Sequence, residues 1–288
     1  MTIEAAIKRH AVLIYFVLVF LLSGGSILLI VGPEGFPLKA EEFASFRLSL
    51  YAAILAGPCV AGVLMTAIVD GRPGLRHLFA RLRRWRIGWT WYAIALLPAL
   101  LMTATALLLS LVSPDFRPAI LDSNGKSGTL LGALGPALLV GCFEEIGWTG
   151  FAVPQLRSRH SILATGLMVG LVWGGWHFPL FWQPDSFSGA LPLVILLTML
   201  FSWLPPFRVL LVWVHDRTQS LPVVMLMHAA VSFVTLTVRP EGLTGTRLLA
   251  SLLISPATMW FLLAAVGVAN RWQLSRDNKR GQATLLSV

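Results

Sequence analysis

Charge is what this 288-residue sequence has least of. Only 12% of its residues are Asp, Glu, Lys or Arg, about half the share of a soluble globular domain. A hidden soluble domain is thereby excluded. Cysteine is nearly absent too. Cys59 and Cys142 both fall inside apolar runs, so they read as small core residues and rule out a disulfide framework. There is no His-Glu-x-x-His, no Gly-x-Ser-x-Gly and no Asp inside an apolar run, which argues against the usual zinc, serine and aspartyl intramembrane schemes. Low-complexity tracts are missing, and no repeat is clear enough to support inverted-repeat transporter symmetry.

What remains is apolar: 56% of residues are hydrophobic and the mean hydropathy is +0.77. A membrane-crossing helix needs about 20 such residues. Eight candidate spans are expected, at 11–31, 46–69, 91–112, 129–153, 162–182, 191–214, 221–238 and 248–269. The sixth is interrupted by Pro205-Pro206 and is expected to kink, or to end and resume as a short helix. The first apolar run continues to about Val31, longer than the core of a cleaved signal peptide, and reads as a retained helix. The fold class is therefore all-α, a polytopic integral membrane protein. It divides into three N-terminal spans with a basic loop (1–128), a core (129–238), and a last span with a basic tail (239–288).

The net charge of +9 is unevenly placed. Arg72, Arg76, Arg81, Arg83, Arg84 and Arg86 crowd one connection, Lys8 and Arg9 precede the first span, and Arg271, Arg276, Lys279 and Arg280 follow the last. This is the positive-inside pattern, with anionic lipids as the natural counter-charge rather than nucleic acid. An even number of spans then puts both termini in the cytoplasm, and a bacterial plasma membrane is the expected setting. Trp85, Trp89 and Trp91 in the same connection suit an amphipathic segment at the interface. The first outer loop carries Glu34, Glu41 and Glu42 with a single Lys39. His215-Asp216-Arg217 reads as a short cytoplasmic turn, and His10, His77, His160 and His215 as solvated.

Against this background stand Glu144 and Glu145, adjacent in the fourth span. No Lys or Arg lies between Lys126 and Arg157 to pair with them. A carboxylate at a helix centre costs roughly 2.5–3.5 kcal/mol on insertion scales, and a second one adds repulsion. At least one of the two is therefore expected to be neutral or bound to something. Neighbouring side chains on a helix point about 100° apart, so one faces a cavity and the other orients it or a neighbour. Thr149 shares the face of Glu145. Gly141, Gly147 and Gly150 surround the pair, and Gly147 and Gly150 are expected to leave room for a substrate backbone.

The fifth span brings His177, with Trp173 one turn earlier on its face, and Gly166, Gly170 and Gly174 in a row that would pack tightly on a neighbour. The seventh brings His228, with Ser232 one turn later. Counted along their helices, Glu144 and His228 lie at matching depth, and His177 about one turn deeper. One lone membrane histidine is usually an interhelical hydrogen-bonder; two carboxylates and two imidazoles at compatible depth point to chemistry.

Two water-activating schemes fit. In one, His177, His228 and a glutamate hold a metal that acidifies water while the other glutamate moves protons. In the other, a glutamate is the general base and the histidines stabilise the oxyanion. Both are hydrolyses. The elements Glu144-Glu145-Ile-Gly-Trp-Thr149-Gly150, Trp173-x-x-x-His177 and His228-x-x-x-Ser232 resemble the three motifs of the CPBP (CAAX protease and bacteriocin-processing, or Abi) intramembrane proteases. The resemblance covers roughly 129–238. It departs where Thr149 replaces the motif's Arg, Trp173 its Phe, and Ser232 its Asn or Asp. It implies that Glu144 activates water with Glu145 in support, that His177 and His228 hold the water or metal and the oxyanion, and that Ser232 assists. Trp173, Thr149 and Gly150 are supporting residues. The family's metalloprotease designation implies a divalent metal such as zinc, with His177, His228 and Glu144 as its ligands. Membrane-tethered or membrane-inserted peptides, such as prenylated CAAX termini or bacteriocin-type leaders, are the implied substrates. The alternatives are a catalytically weak or inactive relative acting as a membrane scaffold or immunity factor, and a proton-coupled transporter.

Overall fold

The structure is a computed structural model that describes residues 2–37, 40–122, 125–240, 242–270 and 274. Among the described residues every regular element is helical. Its helices are α1 (Ile3–Arg9), α2 (Ala11–Val31), α3 (Ala40–Val69), α4 (Gly71–Leu82), α5 (Trp89–Val112), α6 (Ala119–Asp122), α7 (Lys126–Gly147), α8 (Val153–Arg157), α9 (Ile162–Trp176), α10 (Phe178–Phe181), α11 (Ala190–Phe201), α12 (Leu204–Thr218), α13 (Leu221–Val238), α14 (Gly245–Leu252) and α15 (Ile254–Ala269). Lys39 and the tail residues Arg271, Arg276, Lys279 and Arg280 lie outside the described residues.

The chain is a polytopic membrane protein. Among the described residues, seven helical stretches are long and apolar enough to cross a bilayer, one fewer than the eight expected. The difference is the fifth. Helix α9 has only 15 residues, about 22 Å at 1.5 Å per residue against a hydrocarbon core of about 30 Å. It ends at His177, and α10, with Pro179 near its start, continues as a separate short turn. The sixth span resolves into α11 and α12, with Ser202 and Trp203 between them, so the Pro205-Pro206 pair begins a helix rather than kinking one. Two connections were misread as loops. Glu41 and Glu42 belong to α3, and His215-Asp216-Arg217 form the last turns of α12, where His215 is buried. The turn proper is Gln219, in a left-handed conformation, followed by the cap residue Ser220.

Glycines set the closest crossings. Helix α13 packs on α7, α12 on α9, and α3 on both α2 and α7. A Cβ at Gly141 would lie 2.6 Å from the Met225 carbonyl of α13. At Gly166 and Gly170 it would meet Val209 and Pro205 of α12 at 2.5 and 2.6 Å, and at Gly174 the Leu200 carbonyl of α11 at 2.2 Å. The glycine row of α9 is thus the seat of its neighbours, as small residues allow in apolar surroundings. Gly147 and Gly150 do not make room for a substrate. A Cβ on Gly147 would strike the Pro58 carbonyl at 2.0 Å, and one on Gly150 the Leu78 side chain at 2.8 Å.

After Gly147 the helix opens into a π-helical turn, Trp148–Ala152, before α8. Pro154 explains part of this. In an α-helix the Gly150 carbonyl would accept from residue 154, and proline has no N–H. That carbonyl is instead bonded by the Arg81 guanidinium, at 2.7 Å, reaching over from the amphipathic α4. Leu78 of α4 packs beside Leu221 and Met225 of α13, so α4 lies against both helices that carry the central polar residues.

Candidate active site

Glu144 and Glu145 are both buried, 2% and 0% exposed, and their surroundings differ completely. Glu145 is saturated. Its Oε1 accepts from Arg208 Nη1 at 2.9 Å and pairs with His228 Nδ1 at 2.8 Å; its Oε2 accepts from Arg208 Nη1 at 2.8 Å and from the Thr149 hydroxyl. Glu144 has one such partner, the Trp173 indole N–H, which donates to its Oε2 at 2.7 Å. Among the described residues its Oε1 accepts no hydrogen bond.

The expectation that the pair lacks a positive charge is overturned. Arg208 of α12 is fully buried and ion-paired to Glu145. A search confined to the fourth span could not find it, because the partner comes from 63 residues away. The signal was nevertheless present. Arg208 stands in the otherwise apolar run Leu204–Val214, and an intramembrane arginine is as costly as a carboxylate.

Trp173 is the hub of the cluster. Its ring meets His177 edge-on at 5.2 Å and His228 edge-on at 5.2 Å. The Arg208 guanidinium carbon lies 4.1 Å from its ring centre, within cation–π range. His177 turns its Nδ1 to the Trp173 carbonyl at 2.8 Å; a carbonyl only accepts, so Nδ1 donates and Nε2 is left free. The ionised Glu145 fixes His228 in the same sense. The two imidazoles, Trp173, Thr149 and both glutamates are therefore gathered in one place. Gly150 is bound through its carbonyl to Arg81 and not to this cluster. Ser232 is half-buried, and its side chain forms no hydrogen bond to the cluster.

The expected metal set of His177, His228 and Glu144 is not gathered as ligands. Among the described residues no three His, Cys, Asp or Glu side chains converge as a metal requires.

An apolar cavity of about 120 Å³ lies near the cluster. Phe181, Met199, Trp203, Val234 and Arg239 are among its walls. Phe181 stacks on His177 at 5.6 Å. Trp203 stacks on Phe207, whose ring lies 6.0 Å from that of His228.

The class so defined is a polytopic helical membrane protein with a buried set of carboxylates, imidazoles and one guanidinium. Comparison narrows this. Residues 126–234 match the family of type II CAAX prenyl endopeptidases, Rce1-like. A curated relative, CAAX prenyl protease 2 of Methanococcus maripaludis, is 36% identical over 94 residues, 31% of this chain and 35% of that protein. The match thus spans about a third of the length of the relative.

Proposed function

We propose that this protein is an intramembrane endopeptidase in which Glu144 is the general base on water. The observation that carries the reading is the contrast between the two glutamates. Glu145 has both oxygens engaged and cannot take up a proton without breaking an ion pair. Glu144 has one oxygen pinned by Trp173 and one open. Water bound at that oxygen loses its proton to Glu144 as it attacks the peptide carbonyl. His177 and His228 each engage Nδ1, which leaves Nε2 available. One of them accepts a hydrogen bond from the attacking water and orients it, and Glu144 passes the proton it has taken to the departing amine. Glu145, Thr149 and Arg208 keep His228 in place.

The apolar cavity near the histidines suits the hydrocarbon chain of a tethered peptide, and the likeness to a CAAX prenyl protease makes prenylated CAAX termini the first substrate to test. The scaffold reading rested on Thr149 and Ser232 standing where the motif has Arg and Asn or Asp; Arg208 supports the peptidase reading by supplying a cation to Glu145. Cytoplasmic termini and contact of the Arg-rich α4 region with anionic lipids remain part of the proposal; α9 and α10 together would complete the eighth crossing. The test is release of peptide from a farnesylated CAAX peptide and from a bacteriocin-type leader, both membrane-tethered. Glu144→Ala and His228→Ala should each lose about 10²–10⁴-fold in rate. Variants as active as the wild type would sink the reading.

A further inference from the structure

We propose that Arg208 is the positioning residue of this site. From α12 it organises both glutamates, Glu145 by a direct ion pair and Glu144 through Trp173. This rests on the peptidase reading for its rate consequences, while its structural consequences stand apart from it.

Four observations carry it. Arg208 is 0% exposed, and an arginine is kept there only with its charge matched. Its Nη1 bridges both oxygens of Glu145 at 2.8 and 2.9 Å, which favours the ionised carboxylate and so aims Glu145 Oε1 at His228 Nδ1 as an acceptor. Its guanidinium lies against the Trp173 face at 4.1 Å, and that same indole donates to Glu144. Finally, the crossing that seats it is close. A Cβ on Gly170 would lie 3.2 Å from Arg208 Cβ, and Gly170 is one turn before Trp173, so α9 presents the indole directly to the arginine. Each link ends on an atom that does not react: Glu145, the Trp173 ring, His228 Nδ1. Arg208 therefore fixes where the open oxygen of Glu144 and Nε2 of His228 stand without touching substrate. Thr149, already bonded to Glu145 from one turn along the same helix, marks a second position from which a guanidinium could serve that carboxylate.

The experiment compares the full-length wild type, Arg208→Met, Arg208→Lys and the double variant Arg208→Met/Thr149→Arg in lipid nanodiscs. It reads ¹⁵N shifts of the His228 ring, assigned against His228→Gln, and kcat and KM on a tethered peptide that the wild type cleaves. The wild type should carry the His228 proton on Nδ1 with Nε2 bare. In Arg208→Met, Glu145 loses its cation and its proton sharing with His228 changes, so Nε2 becomes protonated. The kcat should fall about 10²-fold with KM within about threefold. Arg208→Lys keeps the charge without the planar face against Trp173 and should fall in between. The double variant should restore bare Nε2 and recover about tenfold of the lost rate. A folded Arg208→Met with wild-type Nε2 and kcat overturns the proposal. If Arg208→Met does not fold, a folded double variant with protonated Nε2 overturns it equally. A wild type that cleaves nothing, while Arg208→Met still shifts the His228 signal, refutes the peptidase reading and leaves the positioning role standing.

Discussion

At the scale of single residues, the site works by giving two chemically identical side chains different company. Glu145 is an anchor because four contacts converge on it, and Glu144 is available because only one does. Trp173→Phe isolates the indole N–H. It keeps a ring against His177, His228 and Arg208 and removes only the bond to Glu144. A hydrogen bond to a charged group contributes about 1.5–3 kcal/mol, so kcat should drop by about tenfold or more with little change in KM. Glu145→Ala should destabilise the fold by about 3–5 kcal/mol, because it strands a buried guanidinium. Glu145→Ala/Arg208→Met should cost clearly less, and denaturation of the three proteins in detergent measures the difference. Glu144, Glu145, His177 and His228 were legible in sequence from their cost and their depth, and Trp173 and Thr149 from their places one turn away on the same faces. Arg208 was not, because its meaning depends on which helix lies beside α9, and neither spacing nor hydropathy encodes that. Ser232 shows the converse: a residue on the right face, one turn from His228, need not reach the cluster.

At the scale of elements, the spans themselves were plain. The runs 11–31 and 221–238 were read to their observed ends, since a continuous apolar run leaves little choice. The failures came where helices end without a polar signal. Helix α9 stops at His177 within apolar sequence, and α12 runs through His215 to Thr218 despite three polar residues, because that face is buried against its neighbours. Glycine contacts are the sensitive points. Gly174→Val would force a side chain into the Leu200 carbonyl, and overpacking of this kind costs about 1–3 kcal/mol; the unfolding temperature should fall accordingly. Asp70, between α3 and α4, offers a test by pH. Burial raises its carboxyl above the ordinary value, even though Gln155 donates to it. A raised folded value means that ionisation favours the unfolded chain, so stability is lost as pH climbs through that value. Asp70→Asn should therefore raise the unfolding temperature near pH 7 and leave it unchanged near pH 3, below the unfolded-state value of about 3.9.

At the scale of the molecule, two rings link the cavity to the cluster: Phe181 and Trp203 line the cavity and contact His177 and Trp173. Met199→Trp should fill part of the cavity without reaching Glu144. It should raise KM for a long-chain lipidated peptide by about tenfold while leaving a short, unlipidated peptide unaffected, a split that peptide-release kinetics would reveal. If both substrates suffer alike, the cavity does not hold the chain.

The ion pair between Glu145 and Arg208 also carries an order in time. The two partners lie 63 residues apart, so during synthesis the carboxylates reach the bilayer well before their cation exists. Arg81, by contrast, is made before Gly150 and is waiting when that carbonyl arrives. The nascent chain must therefore hold α7 in an uncompensated state until α12 follows. Chains truncated ahead of Arg208 should insert α7 poorly, and a glycosylation-site reporter placed after α7 would record the failure and its rescue by Glu145→Gln.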